Sequence, residues 1–172
     1  MNTELQCQEV FMQDIVRIDL MPTSELAVAV PSNVSNLTQV SATLANNVAI
    51  TDERLKAKSL LSLNLTGDDT VDAEMQNTIS HKVTEKRETA GVIRTHTLQV
   101  PIEAGFEEIR EKEAPLLEQD FYILLKDISG TRYLAYSLPG SCKFAVDDQK
   151  GQTSAMTVKA TVESLSGFIK IQ

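Results

Sequence analysis

The chain reads as a mainly β (α+β) domain: an antiparallel β-barrel or sandwich with one short flanking helix near 103–114 and a protruding hairpin. Three observations predict this. Short runs alternate apolar and polar residues, as in Leu61-Ser62-Leu63-Asn64-Leu65. Turn-forming clusters separate the runs, among them Gly67-Asp68-Asp69, Pro139-Gly140 and Asp147–Gly151. Only around Phe106 and Ile109 does apolar spacing turn helical. With 172 residues, 42% apolar and 23% charged, the sequence suits a single globular domain, 1–172, with its own core.

Val10 to Leu20 predicts a strand with one buried face, because Val16, Ile18 and Leu20 alternate with Arg17 and Asp19. Met21–Ser24 reads as a turn around Pro22. Glu25–Val30 reads as a second strand, able to form a hairpin with the first and ended by Pro31. The Ser-, Asn- and Thr-rich segment 31–47 reads as a long loop, and loops of that length tend to be functional. Lys56–Thr66 is a strand. Met75–Lys86 and Gly91–Val100 are a more polar pair of strands around the charged tip Glu85–Glu88. Val92, Arg94, His96, Leu98 and Val100 share one face, so that face is only half apolar. This predicts a hairpin extension, at about 56–100, reaching beyond the core.

Pro101–Glu118 carries the helix. Glu107, Glu108, Arg110, Glu111 and Lys112 supply its solvated face, and its acidic start suits the positive helix N-terminus. Pro115 should stop it near Ala114, with Leu116 and Leu117 packing beyond. Asp120–Gln172 then reads as a β-meander: Phe121–Lys126, Arg132–Leu138, Cys142–Val146 and Ala155–Leu165, with Phe168–Ile171 closing it. In its fourth strand Met156, Val158, Ala160 and Val162 form a dry face. Thr157, Lys159, Thr161 and Glu163 form a wet one.

The net charge of −8 disfavours phosphate-backbone binding, and the basic residues are dispersed along the chain. With three Tyr, five Phe and no Trp, no RNA-binding aromatic pattern is present, so sequence-specific nucleic-acid recognition is not expected. No apolar run approaches the ~20 residues that cross a bilayer, so no membrane partner is expected. Met1–Glu9 lacks the basic patch and apolar run of a signal peptide, which points to a cytoplasmic site of synthesis.

Candidates for chemistry are few. His81 and His96 could face each other across a hairpin, but polar sheet residues are the favoured reading over a metal site. Cys7 and Cys142 are far apart and in no redox or metal spacing, and Cys142 alternates with Phe144 and Val146 as a core thiol would. Glu103, Glu107, Glu108, Glu111 and Glu113 read as a solvated helix face rather than an acid–base pair. Asp68-Asp69 and Asp147-Asp148 lack calcium-loop spacing and read as turn formers. Gly140 and Gly151 punctuate hairpins and have no phosphate-cradle spacing. No catalytic, cofactor-binding or metal-binding residue is assigned, and a non-enzyme is expected.

The stretch from Asp120 carries DFYILLKD (Asp120–Asp127), then Gly130-Thr131-Arg132-Tyr133-Leu134. Leu138-Pro139-Gly140 leads to Phe144, and an Asp147–Gly151 turn precedes an alternating strand. This order resembles the tail-tube-like structural proteins of bacteriophages and related injection systems, across about a third of the chain. The resemblance implies a β-barrel or sandwich with one helix, assembled into rings whose inner wall is made of β-hairpins; here 56–66 and 75–100 are the candidates. It also implies a homo-oligomer, neighbouring virion structural proteins as partners, and location in the virion after synthesis in the host bacterial cytoplasm. An acidic wall would let DNA pass without sticking. Two alternatives stand beside a tail-tube subunit. One is a tail terminator, head–tail connector, baseplate or capsid-decorating subunit, with 31–47 as its docking arm. The other is a ligand-binding β-barrel with His81 and His96 at its mouth.

Overall fold

The computed structural model of the chain describes residues 15–29, 39–64, 79–89, 91–102, 106–148 and 156–171. The strands are β1 (Ile15–Pro22), β2 (Leu26–Ala29), β3 (Gln39–Leu44), β4 (Leu61–Asn64), β5 (Ser80–Glu88) and β6 (Gly91–Ile102). After them come β7 (Phe121–Asp127), β8 (Arg132–Ala135), β9 (Lys143–Asp148), β10 (Met156–Ser164) and β11 (Ile169–Ile171). The helices are α1 (Asp52–Lys58) and α2 (Phe106–Glu118). The protein is mainly β, as the alternation predicts.

The strands form a seven-stranded sheet, β2-β3-β11-β8-β7-β1-β4, and a four-stranded sheet, β5-β6-β10-β9. The larger sheet curls into a half-barrel, and chain connectivity requires it to. Only Thr23–Glu25 separate β1 from β2. Yet those strands stand five positions apart, about 24 Å in a flat sheet at ~4.8 Å per strand. Four residue steps reach about 14 Å at most.

Curling gives the large sheet two buried faces. On one, Ile18, Leu20, Leu61 and Leu63 meet Leu98, Val100, Val158 and Ala160 of the smaller sheet. The void left between them is about 10 Å³ and apolar, too small and too dry for water to be held. On the other face Met21, Leu26, Val40, Leu44, Leu124, Leu134 and Ile169 form a second cluster, closed by Leu55 of α1. The alternation in β1 therefore does not separate a dry face from a wet one. Arg17 and Asp19 are buried as well.

Other expectations need correction. β1 and β2 do not pair: β1 lies between β4 and β7, and β2 pairs β3. Half of the segment expected as the long loop 31–47 is β3 and a tight turn; 31–38 lie outside the described residues. That turn puts Asn46 and Asn47 at φ 65 and 59. Asn is among the few side chains that accept this left-handed conformation. The strand expected from Lys56 begins at Leu61, because Asp52–Lys58 is a helix. Thr51 caps it by accepting from the Arg54 amide, with Asp52 and Glu53 in the first turn and Lys56 and Lys58 in the last. Two described helices therefore replace the single one expected.

The C-terminal third is not a simple meander. β7 and β8 pair in the large sheet, β9 and β10 pair in the small one, and β11 returns to lie between β8 and β3. The chain changes sheets at Pro139-Gly140, where Gly140 has φ 75 and donates its amide to the Asp120 carboxylate. Ser137 and Leu138 stay stitched to Ser164 and Glu163 across the joint. Asp147 and Asp148 lie in β9, not in the turn after it.

α2 does not stop before Pro115 but continues to Glu118. Pro115 removes the amide that would bond the Glu111 carbonyl, yet the turn it begins puts Leu116 into the inter-sheet core at 1% exposure. Burying one leucine offsets one lost hydrogen bond, at about 1.5–3 against ~1 kcal/mol. Leu117, expected to pack, is 62% exposed. Pro115→Ala should restore the bond and raise stability by about 1 kcal/mol. A higher urea midpoint at unchanged m-value checks this; a lower midpoint contradicts it.

Candidate functional site

Of the hairpin extension expected at about 56–100, residues 61–64 are instead β4 of the large sheet, and the hairpin is β5–β6, with β6 paired to β10 from Arg94 to Ile102. The strands of the hairpin pair from Ser80↔Gln99 to Glu88↔Gly91, so the pairing runs through the tip expected at 85–88. Gly91 sits at φ 126, a conformation that disfavours a side chain. Every residue of β5 except the half-buried His81 is exposed, and Val83 is 42% exposed. β5 is the terminal strand of its sheet and pairs only β6 among the described residues. The hairpin thus offers a nine-residue free edge. The large sheet ends in two shorter edges, β2 and β4.

The base of the hairpin is where the two histidines meet, as the sequence suggested they could. His81 Nε2 lies 3.0 Å from His96 Nδ1, and His96 Nε2 lies 3.0 Å from the Ser166 carbonyl oxygen. A carbonyl only accepts, so His96 Nε2 carries the proton and its Nδ1 holds the lone pair. In the neutral array His81 Nε2–H therefore donates to His96. The rings stack at 5.3 Å, and Phe168 packs edge-on against His81 and tilted against His96. Burial pushes the His81 imidazole down to about 4, helped by the neighbouring His96. Burial also lowers His96, aided by the charge of Arg94 and opposed by the bond to Ser166.

This array does not form the mouth of a barrel. His96 is 1% exposed and wedged under Phe168. Of the four ring nitrogens, only His81 Nδ1 is free of the bonds described. A chelate through both rings would break the bond between them. Among the described residues no group of three or more His, Cys, Asp or Glu could hold a metal ion.

Nearer the tip, Glu85 pairs with Arg94 across the hairpin and Lys86 with Glu88 along β5. The described hairpin carries Lys82, Lys86, Arg87 and Arg94 against Glu85 and Glu88. It is positive within an acidic chain, and so does not make the repelling wall that the overall charge suggested.

Sequence reading missed a second feature of this sheet. Directly opposed residues of antiparallel strands share a face. Lys82 opposes Thr97, Thr97 opposes Thr161, and Thr161 opposes Lys143, one row across all four strands. Lys159 lies in the next row, opposite Gln99, and Lys86 stands further out on the hairpin. All four lysines are exposed on the outer face of the sheet. They are scattered in sequence, so only strand pairing reveals the cluster.

A third polar group lies under α1. Arg17 donates through Nε and Nη2 to both carboxylate oxygens of Asp19, at 2.7 and 3.1 Å. Its Nη2 also reaches the Ser62 hydroxyl and the Asp52 carbonyl, while Ser59 donates to Asp19. The Asp52 carboxylate accepts from Lys126 and Arg132. Partial burial raises the Asp52 carboxyl, but these two cations outweigh it and hold it down to about 2. Each charge in this group has an opposite partner, so it clamps α1 to the sheet.

The remaining candidates separate. Cys142 Sγ is half-buried, donates to the Phe121 carbonyl and accepts from the Phe121 amide; burial raises the thiol, which suppresses the reactive thiolate. Glu111 is exposed on α2, whereas Glu103, Asp68-Asp69, Gly151 and Cys7 lie outside the described residues. No helix among the described residues is long and apolar enough to cross a membrane. Comparison with known proteins finds no family model, no curated protein and no solved structure that matches this chain.

Proposed function

We propose that the protein is a structural subunit that self-associates through its sheet edges into rings or a tube, as in a phage tail or tail-like assembly. On this reading it is not an enzyme, it is located in the virion, and its partners are further copies of itself and neighbouring virion proteins. The observation that carries the reading is the β5 edge, which has no strand partner but β6 among the described residues and has nearly every residue in solvent. A long open edge invites another strand, and proteins that stay monomeric usually shorten or cover such edges. The double-layered sandwich with a flanking helix also fits the architecture that the resemblance of residues 120–172 implies.

The positive hairpin adjusts the physical picture. It suits contact with the acidic surface of a neighbouring copy better than a DNA-repelling channel wall.

Shortening the hairpin tests this. Thr84 and Thr95 are cross-strand partners in the same hydrogen-bonding phase as Glu88 and Gly91, the last pair of the hairpin. Replacing residues 85–94 by Asn-Gly therefore sets a two-residue turn there without a register slip. Both histidines remain. The shortened protein should fold, with an unchanged near-UV spectrum, and fail to assemble under conditions where the full chain does. Normal assembly of the shortened protein would contradict the reading.

A further inference from the structure

We propose that the lysine-bearing outer face of the four-stranded sheet is the acceptor surface for helix α2 of a second copy of this chain. The proposal deepens the self-association reading and rests on it.

The acceptor is defined by register. Lys82 and Lys143 end one row of opposed residues, about 14 Å apart at ~4.8 Å per strand, with Thr97 and Thr161 between them. Lys159 sits one row away. Against the four lysines, strand register sets three acidic positions on this face, Glu163, Glu88 and Asp147, and Glu88 is already paired with Lys86. The chain as a whole has a net charge of −8, so its other surfaces are more acidic than that total suggests.

The donor is the most acidic described element. The α2 sequence holds Glu107, Glu108, Glu111, Glu113 and Glu118 against Arg110 and Lys112. Glu111 and Glu118 are exposed and two helical turns apart, about 10 Å along the axis. With the exposed Ala114 between them they form a stripe opposite Leu116. That stripe is commensurate with the spacing of the lysines.

The occupant must be another molecule. Leu116 anchors α2 in the inter-sheet core, so a copy's own helix is held on the opposite side of the sheet from the lysines. Donor and acceptor are different surfaces, so the contact is heterologous and repeats head to tail, closing a ring or growing a tube. A polyanion is the weaker fit, because a chain of net charge −8 repels a phosphate backbone at long range.

Charge reversal tests the pairing. Two variants are made in the full chain, Lys82→Glu/Lys159→Glu and Glu111→Lys/Glu118→Lys. All four side chains are exposed, and circular dichroism checks folding. Sedimentation is measured for the wild type, each variant alone, and the two mixed in equal amounts. Each variant alone should associate at least tenfold more weakly than the wild type. The mixture should recover, since each reversed surface then meets its complement. If the wild type associates and both variants match it, this interface is wrong while self-association stands. A wild type that stays monomeric overturns both. Loss of salt-dependent binding to duplex DNA by the lysine variant, with self-association unchanged, would assign the face to a polyanion and overturn the proposal.

Discussion

Arg17→Met should destabilise the protein by about 3–5 kcal/mol, because it strands a carboxylate in the interior. Asp19 is 1% exposed. Its two described charged contacts both come from Arg17, and only the Ser59 hydroxyl would remain. Methionine fills much of the arginine volume, so cavity formation contributes little. The loss should lower the thermal midpoint by roughly 10 °C, given ~2–4 °C per kcal/mol for a chain of this size. The double variant Arg17→Met/Asp19→Leu separates charge from packing: with no stranded carboxylate it should recover at least half of the loss. A single variant within about 1 kcal/mol of the wild type would show that the pair is not the buried ion pair described.

Acidification should remove about 2–3 kcal/mol of stability between pH 6.5 and pH 4, through the histidine array. The sign follows from proton uptake. His81 titrates near 4 in the folded protein and near its ordinary 6.5 when unfolded. Between those values the unfolded chain holds more protons, so falling pH favours unfolding. A shift of that size converts at about 1.4 kcal/mol per unit, reduced somewhat because the His81 ring is partly exposed to solvent. The Asp52 carboxyl loses its contribution only as pH falls from 3.8 towards about 2, below this window. The measurement is the urea midpoint at pH 7.5 and pH 4.5, for the wild type and for His81→Asn/His96→Asn. The wild type should lose stability across the interval, and the double variant should lose markedly less. Equal losses in both would place the acid sensitivity elsewhere.

The strands were legible in the sequence because a sheet face buried on one side writes itself as alternation. β4 and β10 show it plainly, whereas β7 is a continuous apolar run buried on both faces. Strand partners were not legible. Alternation in Cys142–Val146 says which residues face inward, but not that the strand leaves the β7–β8 sheet for β10. Arg17 and Asp19 looked like a wet face because alternation cannot report that α1 covers it. α1 itself is only seven residues long, and its local signals were the Thr51 cap and the acidic-to-basic order from Asp52-Glu53 to Lys56 and Lys58. The histidine contact was foreseeable, since two polar residues on neighbouring strands of one predicted hairpin must lie close. The lysine face was not, because its members come from three separate stretches of sequence and meet only through non-local pairing.

The mass of the purified protein in solution, followed across a wide concentration range with electron microscopy of any large species, tests the central claim most directly. Self-association into rings or tubes is the result expected of a subunit with an open nine-residue edge and complementary charged surfaces. A strict monomer at every concentration would contradict it.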